Sequence, residues 1–244
     1  MNQPASILLV GASGALGSRI DALADKDDRF RVVARITRSH PHAHARALAH
    51  ENREIIVDFS HFDAIADSID LARTRGAPLL IGTTGLDREH LEALERLAAD
   101  VPVLVAPNTS VGCVVLVQMV RKISCALGEN FSPSIAEWHR SGKRDAPSGT
   151  ANALKRAIEH ADDGAVRLGD QAVVSVRAGS IVGEHVVRFD GPDETIELKH
   201  TAHSRDLFAR GALRAAAWLV DQQPGSYDMV DALGLRDEES QNPL

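Results

Sequence analysis

The sequence predicts an α/β protein with a doubly wound parallel sheet in its first part and an open, largely antiparallel sheet in a mixed α/β second part. In the first 110 residues, short apolar runs alternate with helical stretches. Strands that are apolar throughout and alternate with helices form a parallel sheet covered on both faces. After Asn108 this alternation stops, and residues 172–203 contain several strand-like runs separated by turn residues.

Five strands and three helices are predicted in the first part. Each strand is a short run of apolar or β-branched residues, and each helix has a longer periodic pattern. The predicted strands cover residues 7–10, 30–36, 55–59, 78–81 and 101–106. One helix ends near Leu23, and the other two cover about 63–75 and 87–99.

The second part opens with a mostly apolar helix, predicted over residues 114–127. Strands are predicted at 173–177, 184–189 and 195–200, with turns at Gly179, Gly183 and the Gly191–Pro192 pair. This spacing indicates an open, largely antiparallel sheet. A last helix is predicted at 208–220, and Pro224 and Gly225 would end it. Residues 237–244 are polar, and we expect them to be loose.

The composition is that of an ordinary globular protein, with 244 residues, 44% hydrophobic and 25% charged. A formal net charge of −7 makes the chain a poor generic binder of nucleic acids and anionic membranes. Cys113 and Cys125 lie in apolar surroundings without metal-ligand spacing, so we expect buried, reduced thiols. We find no signal peptide and no stretch long enough to span a membrane, which favours a cytoplasmic protein.

A glycine-rich turn after the first strand predicts a dinucleotide site. Gly11, Gly14 and Gly17 form a G-x-x-G-x-x-G variant of the Rossmann-type fingerprint. The first glycine permits the tight turn, the second lets the backbone approach a pyrophosphate, and the third lets the helix pack close to the strand. N–H groups at the helix start would face the phosphates. A glycine triplet alone also fits a turn without a ligand, but its place between strand and helix favours binding.

The end of the second strand predicts the type of cofactor. A carboxylate at this position usually binds the ribose hydroxyls of NAD and repels a 2′-phosphate. Here the chain carries Thr37 and Arg38 instead. Arg38 could pair with a 2′-phosphate, so we expect NADPH to be used at least as well as NADH. The alternative is an arginine that only faces solvent.

Residues 137–151 contain the densest group of reactive side chains. Arg140, Lys143 and the turn Ser148–Gly149–Thr150 together make a natural carboxylate clamp, because the turn begins a helix whose first N–H groups can receive an anion. Lys143 could donate a proton to a carbanion or enamine-like centre. Taken without the first domain, the segment fits equally well a solvated basic loop followed by a capped helix.

The same segment resembles the signature of the dihydrodipicolinate reductase (4-hydroxy-tetrahydrodipicolinate reductase) family, E-x-H-x-x-x-K-x-D-x-P-S-G-T-A. Every fixed position of that pattern is met between Glu137 and Ala151. Other segments are also similar to the family, at residues 82–85, 106–112, 177–185, 204–212 and 224–229. The resemblance therefore covers nearly the whole chain in order.

The resemblance implies a Rossmann-type dinucleotide-binding domain (1–110 with 205–244). It also implies a mixed α/β domain (111–204) that binds substrate and whose sheet builds a homotetramer. The implied reaction reduces 4-hydroxy-tetrahydrodipicolinate, with loss of water, to tetrahydrodipicolinate on the diaminopimelate route to lysine. By family position, His139 is a proton donor or acceptor, Lys143 is the proton donor, and Gly149 and Thr150 hold a substrate carboxylate. The implied cofactor-lining residues are Gly11, Ala12, Ser13, Gly14, Ala15, Leu16, Gly82, Thr83, Thr84, Ala106, Pro107, Asn108 and Thr109.

Two features depart from the family pattern. Many members carry a second histidine after the catalytic one, and here Arg140 occupies that position. Arginine binds a carboxylate through two parallel hydrogen bonds, so it can replace the contact. The segment between the second strand and Asp58 is shorter than usual, and we expect its strand to be missing. Neither change affects His139 or Lys143.

Several histidines lie outside this motif. His40, His42, His44 and His50 share one polar segment, which we interpret as a solvated loop and not as a metal site. His200 and His203 are as compatible with a structural role as with a functional one, and packing is the commoner role for Trp138.

Two other functions remain open from the residues alone. One is a different two-domain NAD(P)-dependent dehydrogenase, which the Lys143–Thr150 spacing disfavours. The other is a non-catalytic protein of the same fold that senses a dinucleotide, which the intact His139 and Lys143 disfavour.

Overall fold

The computed structural model describes residues 3–39, 45, 49–161, 168–169 and 171–236. The described chain forms two compact units. The first unit contains the chain up to Val111 and the C-terminal part from Asp206, and the second contains Gly112–Arg205. His40, His42, His44 and the segment 237–244 lie outside the described residues.

The first unit is a six-stranded parallel sheet with helices. Its strands are β1 (Ala5–Val10), β2 (Phe30–Ile36), β3 (Glu54–Asp58), β4 (Leu79–Ile81), β5 (Pro102–Val105) and β10 (Gly225–Tyr227). They lie in the order β10-β5-β4-β3-β1-β2, and all neighbours are parallel. Its helices are α1 (Gly17–Ala24), α2 (Ile65–Arg75), α3 (Arg88–Ala98), α6 (Asp206–Leu219) and α7 (Met229–Ala232).

The five predicted strands of this unit are confirmed, with bounds that differ by at most two residues. Every residue of β1, β3 and β4 is buried, because these central strands are covered on both faces. Their side chains are apolar apart from Ser6, Glu54 and Asp58. The edge strand β10 was not predicted. It has only three residues, too few for a periodic signal, and it pairs only with β5.

The order of the strands places a crevice at one edge of this sheet. β1 lies between β2 and β3, so the connections from β1 and β2 leave in opposite directions across the sheet. Doubly wound sheets bind ligands at such a switch point, beyond the carboxyl ends of the strands. The glycine turn follows β1 directly and therefore lies at that point.

The second unit is a four-stranded mixed sheet with helices on one face. Its strands are β6 (Ser132–His139), β7 (Val173–Arg177), β8 (Gly183–Asp190) and β9 (Thr195–Ala202), in the order β7-β6-β8-β9. β6 pairs in parallel with β7, while the pairs β6–β8 and β8–β9 are antiparallel. Its helices are α4 (Val111–Leu127) and α5 (Gly149–Glu159). Side chains from these helices and strands share one core, including Leu116, Val120, Leu154, Ile158, Val187 and Phe189.

The central strand β6 was missed by the sequence analysis. Its inward-facing side chains are Ile135, Glu137 and His139, all buried. Two of these three are polar, so the strand lacks the alternation of apolar and polar residues that predicts a half-buried strand. Polar residues at core positions are expected where a site is built.

One expectation about membranes needs correction. The helical segment Val111–Asn130 is long and apolar enough to cross a membrane by length and composition alone, although that is weak evidence by itself. The buried residues of α4 recur on one face, at Cys113, Leu116, Val120 and Ser124. This spacing is typical of a helix that packs one stripe into a core.

The two cysteines are free, as expected, but only Cys113 is buried. Cys125 is exposed, contrary to prediction, and its thiol donates to the carbonyl of Ala161. Burial on a helix depends on which face a residue occupies, and the apolar composition of the segment alone does not reveal this.

Candidate active site

The predicted cofactor residues all follow parallel strands of the first unit. Residues 11–16 follow β1, 37–38 follow β2, 82–84 follow β4 and 106–109 follow β5. Because the carboxyl ends of parallel strands meet at the same edge of a sheet, the fold brings these four loops to one edge.

Two of the three fingerprint glycines are required by close backbone approach. Gly11 has φ +80°, and a Cβ there would lie 2.4 Å from the carbonyl oxygen of Phe59, which follows β3. A Cβ at Gly17 would lie 2.1 Å from the carbonyl oxygen of Gly11. No side chain fits at either position, so the loop is shaped by backbone alone. This is the shape that lets a pyrophosphate approach main-chain amides.

The same loop ends in amides available to an anion. The amides of Ala15, Leu16 and Gly17 have no acceptor within the described part of the chain. They lie at the start of α1, where the helix dipole favours negative charge. The residues present therefore fit a dinucleotide phosphate.

Two of the predicted cofactor-binding residues already make side-chain hydrogen bonds within the protein. The Thr83 hydroxyl donates to Oδ1 of Asp58 (2.8 Å) and accepts from the amide of Ser60 (2.9 Å). The Thr109 hydroxyl donates to the carbonyl of Phe208 (2.8 Å). Contacts from these two residues to a ligand would therefore come from their main chain.

The sequence analysis did not identify Asp58, whose carboxylate is hydrogen-bonded to the loops after β3 and β4 and to α2. Asp58, at the end of β3, is fully buried. Its carboxylate accepts from the amide and hydroxyl of Ser60 (2.8 and 2.6 Å), from Thr83, and from the Ser68 hydroxyl of α2. A buried carboxylate needs such partners. A carboxylate that ends an otherwise apolar predicted strand was the only signal that could have found it.

Arg38 is exposed at the end of β2, and it has no ion-pair partner among the described residues. Arg35, on the same strand, is bound through two hydrogen bonds of 2.7 Å to Asp21 of α1. Thr37 shares a 3.0 Å hydrogen bond with Ser39. Of the two arginines, Arg38 is therefore the one whose charge is available.

In the second unit, β6, the loop after it and α5 carry the predicted catalytic and substrate residues. His139 ends β6 and is buried. Lys143 lies in the loop, and its Nζ is 2.7 Å from Oδ2 of Asp145. Arg140 is exposed, and its Nη1 lies 2.9 Å from the point that a Cβ of Gly142 would occupy, so Gly142 leaves room for the guanidinium.

The predicted cap of α5 is confirmed. The Ser148 hydroxyl accepts from the amide of Ala151 (3.2 Å), so Ser148 is the N-cap and the helix begins at Gly149. Ser148 is buried, whereas Gly149 is exposed and Thr150 half-buried. The cap supports the turn, and the first amides of the helix are the groups that can bind an anion.

Glu137 is the functional residue that the sequence analysis named only as part of a signature. Its Oε1 accepts hydrogen bonds from the amide of Ser148 (2.9 Å), the hydroxyl of Ser175 (2.6 Å) and Nη2 of Arg177 (2.9 Å). Burial alone would raise its pKa, but the hydrogen bonds from His185, Ser148, Ser175 and Arg177 hold the pKa well below its usual range. Glu137 is therefore a buried, permanent negative charge.

His139 is uncharged near neutral pH. Burial lowers the pKa of its imidazole to about 4; Glu137 opposes this shift, and the charges of His185, Lys143 and Arg177 add to it. In the free protein His139 is therefore a neutral imidazole with one N–H donor and one acceptor nitrogen, and Lys143 is the cationic candidate for a proton donor.

Glu137, His139 and His185 also offer ligand atoms within 4.8 Å of one another, close enough to share a metal ion. Arg177 already neutralises this carboxylate, and a second cation there would be repelled. We therefore assign no metal to this cluster. Near it, His200 lies 3.6 Å from the Cys113 sulfur and is half-buried, while His203 is exposed.

Replacing His139 with glutamine is expected to flatten the pH dependence of stability. An unfolded histidine has a pKa near 6.5, and the folded value is about 4, so only the unfolded chain binds this proton between those pH values. The wild type should therefore lose about 2–3 kcal/mol from this group as the pH falls from 6.5 to 4. Urea unfolding across that range measures the loss, and equal slopes for the two proteins would contradict the assignment.

Known proteins are similar in sequence to this chain over nearly its whole length. The family model described as "Dihydrodipicolinate reductase, N-terminus" matches residues 5–109, and "Dihydrodipicolinate reductase, C-terminus" matches residues 112–233. A 4-hydroxy-tetrahydrodipicolinate reductase from Alkaliphilus metalliredigens is 36% identical over 241 residues, covering 94% of this chain and 99% of the relative. One from Zymomonas mobilis is 37% identical over 248 residues, covering 93% of this chain and 96% of the relative.

A solved structure shares the fold. The dipicolinate-bound dihydrodipicolinate reductase from Paenisporosarcina sp. TG-14 superposes with a TM-score of 0.75 at 17% identity. The match covers 93% of this chain and 98% of that one. At this identity the likeness supports the two-unit α/β fold and no more.

Proposed function

Because the chain belongs to the dihydrodipicolinate reductase family, we propose that it reduces 4-hydroxy-tetrahydrodipicolinate to tetrahydrodipicolinate with NAD(P)H on the diaminopimelate route to lysine. The reaction consumes one hydride and one proton and releases one water. The observation that carries the proposal is the cluster of the second unit, where Lys143 and His139 lie on the loop and strand that precede the capped start of α5.

We assign the cofactor to the edge of the first unit and the substrate to the cluster of the second. The glycine loop and the amides at the start of α1 would hold the pyrophosphate. When bound, NAD(P)H supplies the hydride. The substrate is a small dicarboxylate, which explains a cationic cluster in a chain of net charge −7.

The chemistry assigns separate roles to the cluster residues. Hydride addition to a conjugated C=C–C=N unit leaves negative charge away from the attacked carbon, and Lys143 is placed to stabilise that charge and donate a proton. Gly149 and Thr150 would hold one carboxylate at the helix start, and Arg140 would pair with an anionic group through its planar fork. His139, being neutral, would accept or relay a proton.

Turnover by the purified protein tests this proposal directly. We expect NADPH oxidation, followed by nicotinamide absorbance, only when substrate generated by the preceding synthase is present. A folded protein that binds NADPH without turnover would support the dinucleotide-sensing alternative. Turnover of amino acids or sugars instead would support another dehydrogenase.

Replacing Arg38 with alanine is expected to lower kcat/KM for NADPH by about 10-fold, as for the loss of one charge-assisted hydrogen bond, with little change for NADH. Arg35→Ala is the matched control, because that arginine is already paired with Asp21. An unchanged NADPH-to-NADH ratio in Arg38→Ala would mean that Arg38 only faces solvent.

We further assign the protein to the cytoplasm, and to a homotetramer built through the open sheet. On β7, Val174 is 52% exposed, and a second copy of the chain would cover it in such a tetramer. Light scattering of the purified protein measures the mass, and the mass of a single protomer would refute the tetramer.

A further inference from the structure

The Glu137 carboxylate of β6 is surrounded by residues of β7 and β8 and by the start of α5. The register of the second sheet places Ser175 of β7 and His185 of β8 directly opposite Glu137. Residues that lie opposite each other point to the same face. The Glu137 carboxylate is therefore enclosed from both neighbouring strands, and it is fully buried.

One oxygen of this carboxylate, Oε1, holds the start of the turn through the Ser148 amide. The Ser148 hydroxyl in turn lies 3.2 Å from Nε2 of His185, which lies 3.6 Å from the second oxygen, Oε2. Ser148, His185 and Glu137 thus form a closed group that fixes where α5 begins.

The second oxygen faces His139. Nδ1 of His139 lies 3.3 Å from Oε2 of Glu137. Both atoms are buried, and neither makes a hydrogen bond within the described part of the chain, so this contact is electrostatic. A lone pair on Nδ1 would repel the carboxylate oxygen, whereas an N–H would be stabilised by it. The proton of the neutral imidazole therefore belongs on Nδ1, and Nε2 carries the lone pair.

The other edge of the imidazole is kept open by a glycine. A Cβ at Gly183 would lie 3.1 Å from Nε2 of His139, tighter than ordinary van der Waals contact. Gly183 therefore leaves space beside the nitrogen that carries the lone pair.

From these contacts we propose that Glu137 is a positioning residue that fixes His139 as the Nδ1–H tautomer and, with His185, holds the carboxylate-binding turn in register with it. The proposal rests on the proposed function and adds to it. One buried carboxylate sets both the reactive nitrogen and the anion site, so neither can shift without the other.

The wild-type protein alone gives the first test. In nitrogen-15 NMR of the folded protein, we expect His139 to show a protonated Nδ1 and an unprotonated Nε2 at neutral pH, with the signal assigned by its loss in His139→Gln. A proton on Nε2 instead would overturn the proposal. This readout needs neither substrate nor turnover, so it stands even if the proposed reaction fails.

Glu137→Gln gives the second test. Glutamine keeps the volume and an acceptor for Ser148, but its amide donates where the carboxylate accepted. We expect the His139 proton to move to Nε2. We also expect kcat/KM for the synthase-generated substrate to fall about 10- to 1,000-fold, as when an orienting carboxylate is removed, while the Kd for NADPH changes less than about 2-fold.

Glu54→Gln is the matched control. Glu54 is a buried carboxylate that accepts from Nε of Arg75 (2.8 Å) within the first unit. Glu54→Gln should lower the free energy of unfolding. It should leave the His139 proton on Nδ1 and kcat/KM unchanged. Unchanged His139 signals in Glu137→Gln, or the same loss of kcat/KM in Glu54→Gln, would show that Glu137 is merely structural. If Glu137→Gln does not fold, the wild-type measurement still decides.

Discussion

Replacing Lys143 with alanine is expected to lower kcat by about 100- to 10,000-fold, which is the usual contribution of a positioned general acid. Lys143 is the cationic acid of a cluster in which His139 is neutral. The pairing of Lys143 with Asp145 holds its ammonium in the loop between β6 and α5. The guanidinium groups of Arg140 and Arg177 keep their protons, which favours Lys143 as the proton donor.

The loss should appear in kcat and much less in the Kd for NADPH, because Lys143 belongs to the unit that we assign to the substrate. Steady-state kinetics with synthase-generated substrate and fluorescence titration with NADPH separate the two. Lys155→Ala is a suitable control, because it removes one cation from the exposed side of α5, where Lys155 pairs with Glu159. A kcat within about 10-fold of wild type would remove Lys143 from its role as proton donor.

Replacing Gly11 with alanine is expected to abolish measurable NADPH binding at ordinary cofactor concentrations and to destabilise the protein. Two costs combine at this position. A non-glycine residue at φ +80° is strained by about 1–3 kcal/mol. The added Cβ would also lie 2.4 Å from the carbonyl oxygen of Phe59, so either the turn or the end of β3 must shift. Such a shift moves the amides at the start of α1 away from the phosphate position.

Gly76→Ala separates these two costs. Gly76 also has a positive φ, +57°, at the end of α2, but a Cβ there would meet nothing within 4 Å. We expect a loss of about 1 kcal/mol from the strain alone, with NADPH binding unchanged. Urea unfolding and NADPH titration of both variants measure the difference. If Gly11→Ala bound NADPH as wild type does, the glycine turn would not be the phosphate site.

Local patterns were enough to predict most of the first unit and part of the site. The central strands are mostly apolar, and a parallel sheet buried on both faces favours that pattern. The glycine fingerprint and the Ser148 cap are also local, because each depends on main-chain geometry within a few residues. Lys143, the proton donor that we propose, was named from the same kind of short motif.

Other features were decided only when distant parts of the chain met. β6 was not recognised, because its inward positions hold Glu137 and His139 instead of apolar residues, and their burial is made possible by β7 and β8, which lie about forty residues on. From the sequence, Asp58 is likewise recognisable only as part of a strand. Its hydrogen bonds from Thr83 and Ser68 form only in the folded chain.

The sequence by itself therefore determined five of the six strands of the first sheet, the glycine turn, the turn that begins α5 and the catalytic candidates. The tertiary structure decided that burial lowers the pKa of His139, that the hydroxyls of Thr83 and Thr109 are used internally, and that Glu137 lies between the imidazole and the turn. The physical reason is that a buried polar group needs partners, and no local pattern states which residues of other strands will supply them.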